Sequence, residues 1–324
     1  MIVLWRVTDR CNLACSFCAY DRRLPGPRSE ADEDTVRAFA AVLGAYRAQT
    51  QEAVLVSWIG GEPLLWQPVF RLSSLLKEAY GIRVSATTNG TTLHRPDVRR
   101  QVLDSFSELT VSVDGFAPLH DALRGWPGGW RRLKEAVGAL AAERTASGST
   151  CKLRINIVLM RDNLPDFARL CEELAGWGID EITFNQLGGR DRPEFFPAHR
   201  LGAQEARGLG ALVPSLGERL AARNVRLCAS PAYLRRIEAS AEDRPLPVPD
   251  CGPGERFLFI DERQRVSPCH FTADELGVPL AQVRDARDLA NLAPRFAAAR
   301  AAHTPRVCGD CPSTQVFAKF ASPP

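Results

Sequence analysis

Two textures alternate along the first half of the chain. Short runs rich in β-branched and aromatic residues occupy 2–7 (IVLWRV), 53–59 (AVLVSWI), 82–87 (IRVSAT), 109–113 (LTVSV), 152–160 (KLRINIVLM) and 181–185 (EITFN). Between them, 31–48, 66–79, 95–105, 129–146 and 163–176 carry apolar residues at helical spacing, as in Val36, Phe39, Ala40 and Leu43. Strands alternating with helices of this length predict parallel βαβ units. There are too few for a complete eight-fold barrel, so the pattern predicts an open, partial (β/α)6 barrel of the TIM type. Segment 201–223 reads as a further helix, broken at Pro214. From about residue 240 the texture changes: RPLPVPDCGPG is a Pro/Gly-rich linker, and FLFIDERQRVSPC reads as a small hairpin. This places a barrel domain at 1–240 and a smaller domain at 241–324.

Composition removes several function classes. The net charge of +3 gives no argument for nucleic acid or a membrane surface. No apolar run approaches the length of a spanning helix, and MIVLWRVTD turns polar too early for a signal peptide. A cytoplasmic location is expected. The ten cysteines are then expected to serve metal or redox chemistry rather than disulfides.

Three of them, Cys11, Cys15 and Cys18, are spaced C-x3-C-x2-C directly after the first predicted strand. They therefore sit at the strand's C-terminal end, where βα barrels carry their chemistry. Three thiolates so placed can wrap one face of an iron–sulfur cluster and leave one iron open. A tetrahedral zinc would want a fourth ligand, which the residues between the cysteines do not offer. The alternatives are a zinc knuckle or chance clustering.

C-x3-C-x-Φ-C, with Phe17 as the aromatic Φ, resembles the motif of the radical S-adenosylmethionine (SAM) enzymes. The resemblance covers roughly residues 1–185 and extends to Gly60-Gly61-Glu62-Pro63 after the second strand, to Thr88-Asn89-Gly90, and to Ser112-Val113-Asp114-Gly115. It implies that these glycines let backbone approach the methionine end of SAM, with Glu62 accepting from its amine. It also implies that Ser112, Asp114 and Asn156 contact the SAM ribose or nearby groups, and that Arg124 meets its carboxylate. Each also has an ordinary reading, as a turn-forming Asp-Gly or a strand-end cap. The implied chemistry is reductive cleavage of SAM at a 4Fe–4S cluster to a 5′-deoxyadenosyl radical, which takes a hydrogen atom from the substrate. An electron donor such as flavodoxin or ferredoxin is implied with it.

Cys251, Cys269, Cys308 and Cys311 form a second set, C-x17-C-x38-C-x2-C. Four thiolates close a coordination sphere, and spacing alone allows zinc or a 4Fe–4S cluster. CGPG…ID…VSPC followed by a distant CxxC looks like the auxiliary-cluster domain called twitch, a shorter form of the SPASM domain. That resemblance implies one auxiliary 4Fe–4S cluster accepting the second electron of an oxidation, as in dehydrogenation or bond formation. His270 follows Cys269, and Pro-Cys-His also occurs in enzymes that mature pyrroloquinoline quinone from a peptide. His270 is a candidate proton acceptor or cluster hydrogen-bond partner, or else a structural histidine. Cys228 is the remaining candidate hydrogen-atom donor. Cys151 and Cys171 read as buried small apolar residues.

FNQLGGRDRPEFFPAH (184–199) reads as a cavity wall or lid. The leading expectation is a radical SAM oxidoreductase of peptide maturation or natural-product biosynthesis. The start of the chain at its first strand favours a small molecule, or a peptide delivered by a separate binding protein. Two alternatives stay open: a redox-neutral epimerase using Cys228, and a non-catalytic zinc or iron–sulfur scaffold.

Overall fold

A computed structural model of the chain describes residues 1–321. Its strands are β1 (Ile2–Thr8), β2 (Leu55–Gly60), β3 (Arg83–Thr88), β4 (Glu108–Ser112), β5 (Lys152–Leu159), β6 (Glu181–Gln186), β7 (Arg226–Cys228), β8 (Phe257–Ile260), β9 (Arg265–Ser267) and β10 (Val278–Pro279). They make one sheet in the order β10-β9-β8-β1-β2-β3-β4-β5-β6-β7. Every pairing from β8 through β1 to β7 is parallel, and only the β8–β9 and β9–β10 pairings are antiparallel. The chain is an α/β protein with a partial TIM-like barrel.

The helices that follow the strands are α1 (Glu33–Thr50), α2 (Val69–Tyr80), α3 (Pro96–Ser105), α4 (Ala117–Arg124), α5 (Gly129–Ser147), α6 (Phe167–Leu174), α7 (Phe196–His199), α8 (Ala203–Ala221) and α9 (Pro231–Ala241). Their starts follow local chemistry. Asp32 accepts from the Thr35 N–H to cap α1, with Glu33 and Asp34 in its first turn. Ser230 caps α9 through the Tyr233 N–H, with Pro231 at the first helical position.

Strand alternation separates a core from a lumen. Val3, Trp5 and Val7, Val56 and Trp58, Leu109 and Val111, Leu153, Ile155 and Ile157, and Ile182 and Phe184 are buried against the helices. Apart from Leu4, the intervening residues are polar, and they belong to the inner face. Thr110, Arg154, Glu181 and Arg226 are register partners across β4–β7. Arg154 ties this row together, 3.0 Å from Glu108 and 2.5 Å from Glu181. One pleat toward the strand C-termini lies a second row: Ser112, Asn156, Thr183 and Cys228.

Four features go beyond the sequence pattern. β7 adds a seventh parallel strand; at three residues it is too short for a periodicity signal. The short helix α4 also carries little signal. α8 runs unbroken through Pro214. The proline removes one backbone bond, but Leu209, Val213, Leu216 and Leu220 are buried on either side and hold the helix. Finally, β8 does not stand apart: it pairs with β1, from Ile2 against Phe257 to Trp5 against Ile260. The expected hairpin is β8–β9, turned by Asp261, whose Oδ1 accepts from the Arg263 and Arg265 N–H groups.

Candidate active site

Cys11, Cys15 and Cys18 lie in the loop after β1, with Cys15 buried and the other two half-buried. Cys11 Sγ accepts from the Leu13 N–H at 3.5 Å and Cys18 Sγ from the Tyr20 N–H at 3.4 Å. Asn89 Nδ2 lies 3.7 Å from Cys11 Sγ and donates to Asn12 Oδ1 at 2.9 Å. Backbone and amide donors aimed at sulfur suit thiolates, so the donor set fits an iron–sulfur cluster. Burial pushes the Cys15 thiol up to about 11 and Cys18 to about 12, so assembly must displace their protons.

The loop is stitched to α4. Ala14 N–H donates to the Arg124 carbonyl at 3.3 Å and Ser16 N–H to Leu123 at 3.1 Å. Arg124 is 7% exposed and Asp114 0%. The Arg124 guanidinium donates to Asp114 Oδ2 from Nε at 2.7 Å and lies over Phe17 at 5.6 Å. Asp114 Oδ1 accepts from the Val158 N–H at 2.8 Å. Both carboxylate oxygens are therefore engaged, and Asp114 here holds Arg124 and β5. His120 is buried; its Nδ1 accepts from the Asp114 N–H at 3.2 Å.

Glu62 is fully buried. Its Oε1 accepts from the Thr88 hydroxyl at 2.6 Å and the Leu64 N–H at 3.1 Å, and its Oε2 from the Asn89 N–H at 2.6 Å. The carboxylate thus braces the Thr88–Gly90 turn that carries Asn89. Gly60 and Gly61 face the β1 end: a Cβ on either would come within 2.1 Å of the Thr8 or the Arg10 carbonyl oxygen. That contact alone requires glycine at both places. Pro63, also buried, opens a 3-10 turn that Glu62 caps. Ser112 and Asn156 are register partners on the inner face.

The 184–199 loop reaches over this site. Phe195 lies 6.4 Å from Phe17, ring to ring, and Arg192 Nη1 is 3.2 Å from Asp21 Oδ2 in the cysteine loop. Leu123, Met160 and Leu187 form a separate apolar cluster beneath it.

The second cysteine set shares one cavity. Cys251, Cys269, Cys308 and Cys311 line it, walled by Val248, Pro253, Phe257 and Leu276. Arg300 lines it too, and its buried Nε has no partner. A cavity of four thiols with an orphaned cationic donor fits an anionic, thiolate-bound centre. His270 is exposed beside Cys269, its ring 4.8 Å from Phe259. Cys228 is 0% exposed and sits on the inner row next to Thr183. Cys151 and Cys171 are buried at 2% and 0% exposure, away from both sets.

Residues 5–174, just over half of the chain, match the model of the Radical SAM superfamily. The chain belongs to that superfamily. An AdoMet-dependent heme synthase of Nitratidesulfovibrio vulgaris is 24% identical over 305 residues, covering 85% of this chain and 75% of that one. A PqqA peptide cyclase of Xanthomonas campestris pv. campestris is 27% identical over 325 residues, covering 97% and 80%. Among solved structures, SuiB of Streptococcus suis bound to S-adenosylmethionine superposes with a TM-score of 0.67 at 15% identity, covering 96% of this chain and 71% of that chain. SuiB bound to its precursor peptide SuiA gives 0.68 at 15% identity, covering 99% and 70%. Likeness to these proteins thus continues past the superfamily match into the four-cysteine region.

The chain is accordingly a radical SAM enzyme, whose family implies a 4Fe–4S cluster and SAM. Among the described residues, no helix is long and apolar enough to cross a membrane. Sequence reading passed over several inner-face groups. Arg6 bonds Tyr20 Oη at 3.0 Å and Glu262, linking the cysteine loop to the turn after β8. Lys319 and Asn185 meet inside the barrel. Nothing in local spacing signals these; a Lys in an arginine-rich chain with four lysines is a faint hint at most.

Proposed function

We propose that this chain is a radical SAM oxidoreductase acting on a peptide or small natural-product precursor, with one auxiliary 4Fe–4S cluster in its four-cysteine cavity. Residues 241–321 act as the auxiliary-cluster module. When bound, the first cluster and SAM supply a 5′-deoxyadenosyl radical that takes a hydrogen atom from the substrate.

The protein's own part is placement. Cys11, Cys15 and Cys18 offer three thiolates and no fourth, while the Asp114–Arg124 pair and Phe17 fix the loop that carries them. Phe17, Asn89, Ser112 and Asn156 face SAM, and the 184–199 loop covers the mouth and excludes water. Gly60, Gly61, Glu62 and Pro63 shape the turn beside it. Cys251, Cys269, Cys308 and Cys311 hold the auxiliary cluster, with Arg300 offsetting its negative charge. His270, exposed next to Cys269, is placed to accept a proton as the substrate is oxidised.

The observation that carries the oxidative reading is the convergence of four cysteines, scattered over residues 251–311, on one cavity whose Phe257 begins the strand paired with β1. A second redox centre beside the barrel gives the substrate's second electron a destination. The PqqA peptide cyclase and peptide-bound SuiB likenesses support a peptide among the substrates. A flavodoxin or ferredoxin would supply the first electron.

Replacing Cys308 and Cys311 together with Ala tests this. SAM cleavage with a strong chemical reductant should persist while substrate turnover stops. Product formation at the wild-type rate would overturn the auxiliary-cluster role. Solvent deuterium at one product carbon, with no net loss of hydrogen, would point to an epimerase using Cys228.

A further inference from the structure

The segment after β3 (90–94), the turn after α4 (125–127) and the first half of α5 wall a cavity of about 620 Å³. Another wall is the cysteine loop itself, because Asn12 and Leu13 line the cavity too. Leu13 N–H donates to Cys11 Sγ at 3.5 Å. Asn12 donates to Thr91 Oγ1 at 2.9 Å and accepts from Asn89 Nδ2, also at 2.9 Å. The wall is thus bonded directly to the first of the three cysteines.

The rim is cationic. Arg22, His94 and Arg132 line the cavity and are exposed, and among the described residues no Asp or Glu lines it. Among those residues neither Arg22 nor Arg132 has an ion-pair partner, although the neighbouring Arg23 and Arg95 are held by Asp21 and Asp97. The whole chain carries only +3, so the excess is local and not a general basicity. Trp126, half-buried, adds an aromatic surface among these cations.

Arginine and tryptophan around a recess are the composition of a protein–protein contact. Cations with no carboxylate among them select an acidic partner, and they steer its approach. The position selects the kind of partner. Whatever seats here faces the cysteine loop across Asn12 and Leu13 alone. The 184–199 loop already takes another approach to that loop, through Phe17 and Asp21.

We propose that this cavity is the docking site of a small acidic one-electron carrier of the flavodoxin class, held by Arg22, Arg132 and Trp126. The proposal deepens the radical SAM reading of the site and rests on it. The electron count closes. The carrier's reduced flavin gives up one electron, and SAM takes it up as a C–S bond breaks to methionine and the 5′-deoxyadenosyl radical. Arg22 and Arg132 touch neither SAM nor substrate in this account; they set how the carrier is caught.

Calorimetric titration of an acidic, oxidised flavodoxin into the iron-loaded protein, kept anaerobic, reads docking apart from catalysis. The double variant Arg22→Glu/Arg132→Glu should raise Kd about tenfold at low salt, and the gap to wild type should narrow as salt rises. Formation of 5′-deoxyadenosine with sub-saturating reduced flavodoxin should fall about as far. With dithionite as reductant it should stay at the wild-type level. Arg306→Glu, a reversal at an exposed residue beside the four-cysteine set, should leave the flavodoxin Kd unchanged. If iron content or melting temperature shows the double variant to be misfolded, Arg22→Gln/Arg132→Gln replaces it, with a loss of about threefold expected. An unchanged Kd in the folded variant, or a loss on Arg306→Glu in its place, would overturn the docking site. So would a wild-type protein that cleaves SAM with dithionite but does not bind flavodoxin. If wild type cleaves SAM with neither reductant, the radical SAM reading of the site fails first and this proposal with it.

Discussion

Asp114→Ala should be among the most damaging changes that leave every cysteine in place. The carboxylate is wholly buried, and among the described residues it is the only acidic partner of an Arg124 that is itself 7% exposed. Removing one member of such a pair leaves an uncompensated buried charge and costs about 3–5 kcal/mol. The Val158 N–H loses its acceptor as well, worth about 1–3 kcal/mol more if no water replaces it. Surface screening gives little relief at this depth. The damage should reach the cluster loop, because Ala14 and Ser16 hang from the Arg124 and Leu123 carbonyls. Urea unfolding of the metal-free protein, kept anaerobic and reduced, reads the stability loss as a lower midpoint. Iron retained after desalting reads the loop. Adding Arg124→Met in the Asp114→Ala background should recover more than half of the lost stability, since the orphaned guanidinium is the costly element. An Asp114→Ala protein within about 0.5 kcal/mol of wild type, with full iron retention, would refute the reasoning.

Cys15→Ala should abolish SAM cleavage and lower iron by about four per chain; undiminished 5′-deoxyadenosine would sink the assignment of the first cluster. Glu62→Gln should destabilise by about 1–3 kcal/mol, because an amide N–H₂ cannot accept from Asn89, Thr88 and Leu64 as both oxygens do. Burial pushes Glu62 up to about 7, above its unfolded value, so the folded state binds the extra proton. Stability of the metal-free protein should then fall as pH rises toward 7, and Glu62→Gln should flatten that slope; an unchanged slope contradicts it. Asp21→Ala cuts the tie to Arg192, so limited proteolysis should cleave the 184–199 loop faster than in wild type.

Much of this was legible in sequence because it rests on local periodicity. Six strands and five of the helices follow from spacing, and both cysteine sets follow from short motifs or repeated residue type. What escaped depends on partners far away in sequence. β7 has three residues and takes its identity from pairing with β6. β8 reads as part of a separate hairpin, yet its edge is satisfied by β1, more than 250 residues earlier. Asp114 and Glu62 are conspicuous in the sequence as groups for SAM. Their carboxylates also bond within the chain, one holding Arg124 and the other the Asn89 turn. Lys319 is placed by a tail whose path no local pattern encodes.

The central claim is that the chain holds two iron–sulfur clusters, one for each cysteine set. Iron, sulfide and zinc per chain after anaerobic reconstitution, with 5′-deoxyadenosine measured on the same sample, test it most directly. The account predicts about eight irons, matching sulfide, little zinc and SAM cleavage. About four irons with one zinc would make the four-cysteine site structural and remove the main support for an oxidation.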